Sequence, residues 1–173
     1  MTSSRLTVIT GASRGLGRAM AEQLLQPGQR LLCISRQGDE QLAASAREAG
    51  VELEQWQLDL SDPVPAAARL SAWLQGLDAA AFDSATLINN AGTIGRPRPL
   101  SEAVASELAQ ALRVGLEAPM LLASAFLGAT KAWRAERKPA LATRALAELA
   151  SWQQRLDRSS GRNHGLMASG GPT

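Results

Sequence analysis

The chain has 173 residues, 45% of them apolar and 20% charged, which suits one globular domain with a real core. A net charge of +2, without a Lys/Arg run or an aromatic-interleaved basic patch, argues against a nucleic-acid partner. One cysteine excludes an internal disulfide and one histidine leaves no His-based metal site; with no run of 18 apolar residues and no signal peptide read, a cytoplasmic location off the membrane is the expectation.

The first strand is expected over 5–9, where Leu6-Thr7-Val8-Ile9 form a short apolar run. It leads into Thr10-Gly11-Ala12-Ser13-Arg14-Gly15-Leu16-Gly17 and a helix over about 15–26. A glycine-rich turn between strand and helix is the arrangement that cradles a dinucleotide pyrophosphate. The glycines allow a tight turn and a close backbone approach, and the first N–H groups of the helix attract the anion. The helix is expected to turn Leu16, Met20 and Leu24 inward, and Pro27-Gly28 stops it.

Arg30 to Ile34 is continuously apolar apart from its first residue, as in a strand buried on both faces of a parallel sheet. A helix over 38–49 ends at Gly50. Strand three, 51–58, alternates Val51 and Leu53 with Glu52 and Glu54, which places it near a sheet edge. A helix over 64–76 follows the start signal Ser61-Asp62-Pro63. The apolar run Ala85-Thr86-Leu87-Ile88 then enters Asn89-Asn90-Ala91-Gly92. Strands and helices alternating at about 25-residue spacing imply right-handed βαβ units, hence an α/β Rossmann-type, doubly wound parallel sheet.

An Ala/Leu-rich helical region follows over 101–135, with Pro119 expected to kink or divide it. Pro139 to Thr143 is the only candidate for a fifth strand, and it is weak, so the sheet is expected to be incomplete on its C-terminal side, with 85–88 as an open, aggregation-prone edge. Residues 144–157 read as helix, and the Gly/Ser/Pro-rich stretch from Ser159 reads as disordered. The division is a nucleotide-binding domain at 1–137 and an atypical tail at 138–173.

Three signals at the right spacing resemble the short-chain dehydrogenase/reductase family: the glycine turn at 10–17, Asp59-Leu60 after strand three, and Asn89-Asn90-Ala91-Gly92. Leu116 to Leu122 is similar to the central helix of its sepiapterin-reductase-like branch. The resemblance implies an NAD(P)-dependent oxidoreductase, a carbonyl reductase or alcohol dehydrogenase, acting on a small carbonyl or alcohol. A homo-oligomer through the helices at 101–135 is a further expectation. By position, Thr10, Gly11, Ser13, Arg14, Gly15, Leu16 and Gly17 would surround the pyrophosphate and adenosine ribose. Asp59 would accept from the adenine amino group, with Leu60 beside the ring, and Asn89, Asn90, Ala91 and Gly92 would line the way to the nicotinamide ribose.

Charge decides between the two nicotinamide cofactors. An NAD site places a carboxylate at the end of strand two, where this chain has Ser35-Arg36. Arg36 with Arg14 suits a ribose 2′-phosphate, so NADP is expected over NAD. The resemblance also implies a catalytic Ser and a Tyr-x-x-x-Lys on and after strand five. The chain contains no tyrosine, its last lysines are Lys131 and Lys138, and Gly115 stands where the central helix often carries Asn. Ser159-Ser160-Gly161 lies too late to be the serine motif. No residue is therefore assigned a catalytic role. The abrupt change of character after residue 137 suggests a truncated or frame-shifted reading of a longer reductase gene. The alternative is a catalytically dead nucleotide-binding or regulatory protein.

Overall fold

The computed structural model describes residues 4–93 and 98–141. Five parallel strands form one sheet: β1 (Arg5–Thr10), β2 (Gln29–Ser35), β3 (Glu52–Gln57), β4 (Ser84–Asn89) and β5 (Glu136–Leu141), in the order β3-β2-β1-β4-β5. Three regular helices join the first four strands: α1 (Gly15–Gln23), α2 (Glu40–Glu48) and α3 (Pro63–Gln75). Between β4 and β5 a continuous helix runs from Ala105 to Ala129. It comprises α4 (Ala105–Leu112), a π-helical turn (Arg113–Glu117) and α5 (Ala118–Ala129).

Side chains alternate across each strand, so the apolar runs feed two cores. Leu6, Val8, Leu32, Ile34, Ala85 and Leu87 face α3 and α5, where they meet Leu70, Leu74, Ala118, Leu122 and Phe126. Ile9, Leu31 and Cys33 face α1 and α2, where they meet Ala21 and Leu42. This two-sided burial explains why β1 and β2 read as continuously apolar.

β3 is an edge strand, as its alternating charges imply. Arg30 on β2 pairs with Glu52 at 2.9 Å and Glu54 at 3.0 Å, and the Trp73 indole N–H donates to Glu54 at 3.0 Å. Trp73 stands edge-on to Trp56, and the Arg69 guanidinium lies 4.3 Å from the Trp56 ring centre. Charged and aromatic side chains thus occupy an edge that would otherwise be open to pairing.

Two expectations need correction and one needs refining. β4 is not an open edge: it pairs in parallel with β5 from Ser84↔Glu136 to Asn89↔Leu141. That strand starts earlier than the expected Pro139 and opens on three charged residues, a composition that hides it from a propensity reading, and it runs through residue 137. Pro139, which cannot donate to a ladder, sits on a strand at the end of the described sheet, a position where proline is tolerated. On α1 the buried positions are Gly17 and Ala21, while Leu16 is 49% exposed, so the inward face is rotated from the expected one. The division expected at Pro119 falls just before it and is a change of helical geometry, not a gap, with the proline in the first turn of α5. The π turn just before it, where the Ala118 N–H donates to the Arg113 carbonyl, accommodates a residue that has no N–H to give.

The helix from Ala105 to Ala129 has the length and composition to cross a membrane. Here Ala118, Leu122 and Phe126 are buried against the sheet and α3. Residues 142–173, including the expected helix at 144–157 and Ser159-Ser160-Gly161, lie outside the described residues.

Candidate cofactor site

The site forms where β1 and β4 end. Gly11 adopts φ +72°, which favours glycine, and a Cβ there would come within 2.9 Å of the Ala91 Cα and the Asn90 amide nitrogen. Gly17, one turn into α1, packs against the Gly11 carbonyl and the Asn90 side chain so closely that a Cβ would collide with both. The turn is therefore folded down onto the β4 end rather than projecting from it.

Thr10 and Asn90 make the joint. The Thr10 hydroxyl accepts from the backbone N–H groups of Asn90 at 3.0 Å and Ala91 at 2.9 Å. The Asn90 amide donates to the carbonyls of Thr10 at 3.0 Å and Gly11 at 3.2 Å. The Asn90 Oδ1 and Asn89 Oδ1 are buried and have no hydrogen-bond partner among the described residues.

Above this joint opens a cavity of about 720 Å³. Its walls bring together the glycine turn (Gly11, Ser13, Arg14), the β2 end (Ser35, Arg36, Gln37), the β3 end (Asp59, Leu60) and the β4 end (Asn90, Ala91, Gly92). Thr10, Gly15, Leu16, Gly17 and Asn89 do not line it. Thr10 and Gly17 act underneath, as the joint just described; Asn89 is buried, and Leu16 points to solvent. Sequence reasoning missed Gln110 and Val114, which reach the same cavity from the central helix. No sequence signal marked them: a spacing of four drifts by about 40° per step in a uniform α-helix, and the π turn at Arg113–Glu117 is what brings these positions to the same side as Ala118, Leu122 and Phe126.

Asp59 is held ionised. The Ser61 backbone N–H donates to its Oδ1 at 2.9 Å, and these hydrogen bonds from Ser61, with a smaller pull from Arg36, outweigh slight burial and keep its carboxyl below the usual range. The other nearby carboxylate, Asp39, is turned away. It caps α2 by accepting from the Leu42 N–H at 3.0 Å and pairs with Arg18 at 2.7 Å. Neither Arg14 nor Arg36 forms an ion pair among the described residues. Two unpaired guanidinium groups, a glycine cradle, an α1 N-terminus without a side-chain cap and an unpartnered Asn90 oxygen fit an anionic dinucleotide. No group of metal-binding side chains occurs among the described residues.

The model of the family described as short chain dehydrogenase matches residues 5–137. The chain belongs to that family. It is 31% identical over 134 residues to benzil reductase ((S)-benzoin forming) of Bacillus cereus, a match covering 78% of this chain and 54% of that one. It is 32% identical over 136 residues to sepiapterin reductase of Xenopus laevis, covering 72% and 50%. The fold superposes with a TM-score of 0.61 on a metagenomic short-chain oxidoreductase solved in complex with NADP, at 34% identity, covering 80% of this chain and 62% of that one. The chain spans about half the length of these two curated relatives.

Proposed function

We propose that this chain carries the NADP-binding half of an oxidoreductase of the carbonyl reductase or alcohol dehydrogenase type. The observation that carries the reading is the shared position of Arg14 and Arg36 on one cavity, with Asp39 drawn off to Arg18 and α2. A 2′-phosphate would gain two charge-assisted partners there and meet no carboxylate in the position where an NAD site has one. Asp59 would accept from the adenine amino group, Leu60 and Val114 would flank the ring, and Asn90 to Gly92 would border the nicotinamide ribose. The cofactor, when bound, supplies the hydride; this chain's residues bind and orient it.

Proton transfer is a separate matter. The sequence has no tyrosine, so the family's general acid is lacking, and a missing group of that kind costs roughly 10²–10⁴-fold in rate. This reading therefore expects cofactor binding with little or no turnover, in a cytoplasmic setting. Titration of the purified chain with NADPH and NADH tests the binding; equal or tighter NADH binding refutes the NADP assignment. Reduction of benzil or another small ketone at the rates of ordinary reductases, lost in Gly11→Val, would refute the catalytic half of the reading.

The second feature of this reading is self-association. Val104, Leu108, Leu112, Leu116 and Met120 recur every fourth residue and are 41–65% exposed, an apolar stripe suited to a homo-oligomer through the central helix. Light scattering on the unmodified chain and on Met120→Asp measures it.

A further inference from the structure

Asp59, Leu60, Val114 and Gln110 line the cavity together. The first three take the adenine ring in the function proposed above; Gln110 alone is without a duty. Its backbone belongs to the helix, where its carbonyl accepts from the Arg113 N–H. Its side chain is exposed and makes no hydrogen bond or ion pair among the described residues. No contact of the fold uses that carboxamide, yet it stands at the cavity wall.

Adenine presents more polar atoms than Asp59 can meet. The Asp59 Oδ1 already accepts from the Ser61 N–H at 2.9 Å, which leaves Oδ2 for one of the two protons on the 6-amino group. The second amino proton and the N7 acceptor lie side by side on another edge of the ring. A carboxamide is complementary to that pair: its oxygen accepts from the amino group and its NH2 donates to N7. Two other carboxamides line the cavity among the described residues. The Asn90 amide is already given to the Thr10 and Gly11 carbonyls. Gln37 follows Arg36, at the end assigned to the 2′-phosphate. Gln110 shares its helix with Val114 and lies one turn, about 6 Å, before it, so a ring flanked by Val114 has an edge toward Gln110.

We propose, on the adenine placement given above, that Gln110 is a specificity-determining residue of the cofactor site. Its carboxamide pairs with the 6-amino group and N7 of adenine, so the site accepts a 6-amino purine and rejects a 6-oxo one. In hypoxanthine or guanine the 6-position is a carbonyl. That oxygen would face the Asp59 carboxylate and the Gln110 oxygen with no proton between them. Gln110 carries no charge, so its effect does not depend on the 2′-phosphate and is the same for NADPH and NADH.

Fluorescence titration with NADPH, NADH and the reduced hypoxanthine analogue of NADPH tests this, on the unmodified chain and on Gln110→Met. Methionine keeps the length and helix propensity of glutamine and removes both hydrogen-bonding atoms. The variant should unfold at the same urea concentration as the unmodified chain. It should lose about five- to tenfold in affinity for NADPH and the same factor for NADH, while affinity for the hypoxanthine analogue changes by about twofold at most. Gln110→Ala should give the same factors. Unchanged NADPH affinity in both variants overturns the proposal. An equal loss for the hypoxanthine analogue overturns it too, by making Gln110 a packing contact only. A loss confined to NADPH does the same, by tying Gln110 to the 2′-phosphate. An unmodified chain that binds neither NADPH nor NADH overturns the cofactor reading itself, and this proposal with it.

Discussion

Asn90 is suspended from Thr10: its backbone N–H donates to the Thr10 hydroxyl at 3.0 Å, and its side-chain amide donates to the Thr10 carbonyl at 3.0 Å. The two residues are 80 positions apart in the chain, and both are buried. The pair fixes the ends of β1 and β4 against each other, so the floor of the cavity is set before any ligand arrives. Replacing Thr10 with Val keeps the shape but leaves the N–H groups of Asn90 and Ala91 without an acceptor. We expect a loss of about 1–3 kcal/mol per unsatisfied group, read from urea unfolding, with Thr10→Ser retaining most of the stability.

Gly17→Ala should be worse than its size suggests. Its Cβ would press on the Gly11 carbonyl and the Asn90 amide, neither of which can move without disturbing the joint. An overpacking cost of about 1–3 kcal/mol is expected, together with weaker cofactor binding. Gly128→Ala, inside α5 where a Cβ meets open space, is the control: it should leave cofactor binding unchanged and, as a glycine replaced within a helix, raise stability by up to about 1 kcal/mol.

NADPH should bind this chain more tightly than NADH, and Arg36→Asp should narrow or invert the difference. One charge-assisted pair is worth about 1.5–3 kcal/mol, so the variant should lose roughly ten- to a hundredfold in NADPH affinity. Arg14→Ala should act in the same direction. Fluorescence titration with each cofactor gives both numbers, and a loss that is equal for NADH would mean that these groups do not read the 2′-phosphate.

Cys33 gives the alkaline behaviour. Burial, with a smaller contribution from the Asp39 charge, pushes its thiol up to about 12 from 9.0. A group whose acid form is favoured by folding contributes stability below its unfolded pKa and loses it as pH rises. Stability should therefore fall between about pH 9 and 12, by up to about 1.4 kcal/mol per pH unit. Cys33→Ala should flatten that slope while lowering stability at neutral pH through the cavity it leaves. Denaturant unfolding across this range checks both effects.

The parts of the fold that rest on local chemistry were legible from sequence. The glycine turn, the helix start at Ser61-Asp62-Pro63, and the placing of β3 at an edge follow from residues acting on their neighbours. β5 was not legible, because Glu136-Arg137-Lys138-Pro139 has the composition of a loop and is held by the β4 ladder instead. The same holds for α1, whose inward face is decided by Gly17 lying under Gly11, not by its largest apolar residues. In the site, Arg14, Arg36, Asp59 and Asn90 could be expected from motif positions. Gln110 and Val114 could not, since only the path of the central helix carries them there.

That path depends on the wide turn at Arg113–Glu117. In a uniform α-helix the sixteen steps from Gln110 to Phe126 accumulate a rotation of about 160°, which would leave one facing nearly opposite the other. The π turn absorbs one extra residue and removes about 100° of it. Gln110, Val114, Ala118, Leu122 and Phe126 thereby fall within one sector, the first two at the cavity and the last three in the core. The turn acts as a phase corrector between two stretches of helix with different duties. If it tightened to ordinary α geometry with α5 held in place, the front of the helix would rotate by about 100° and the cavity would lose a wall without any change in its other residues.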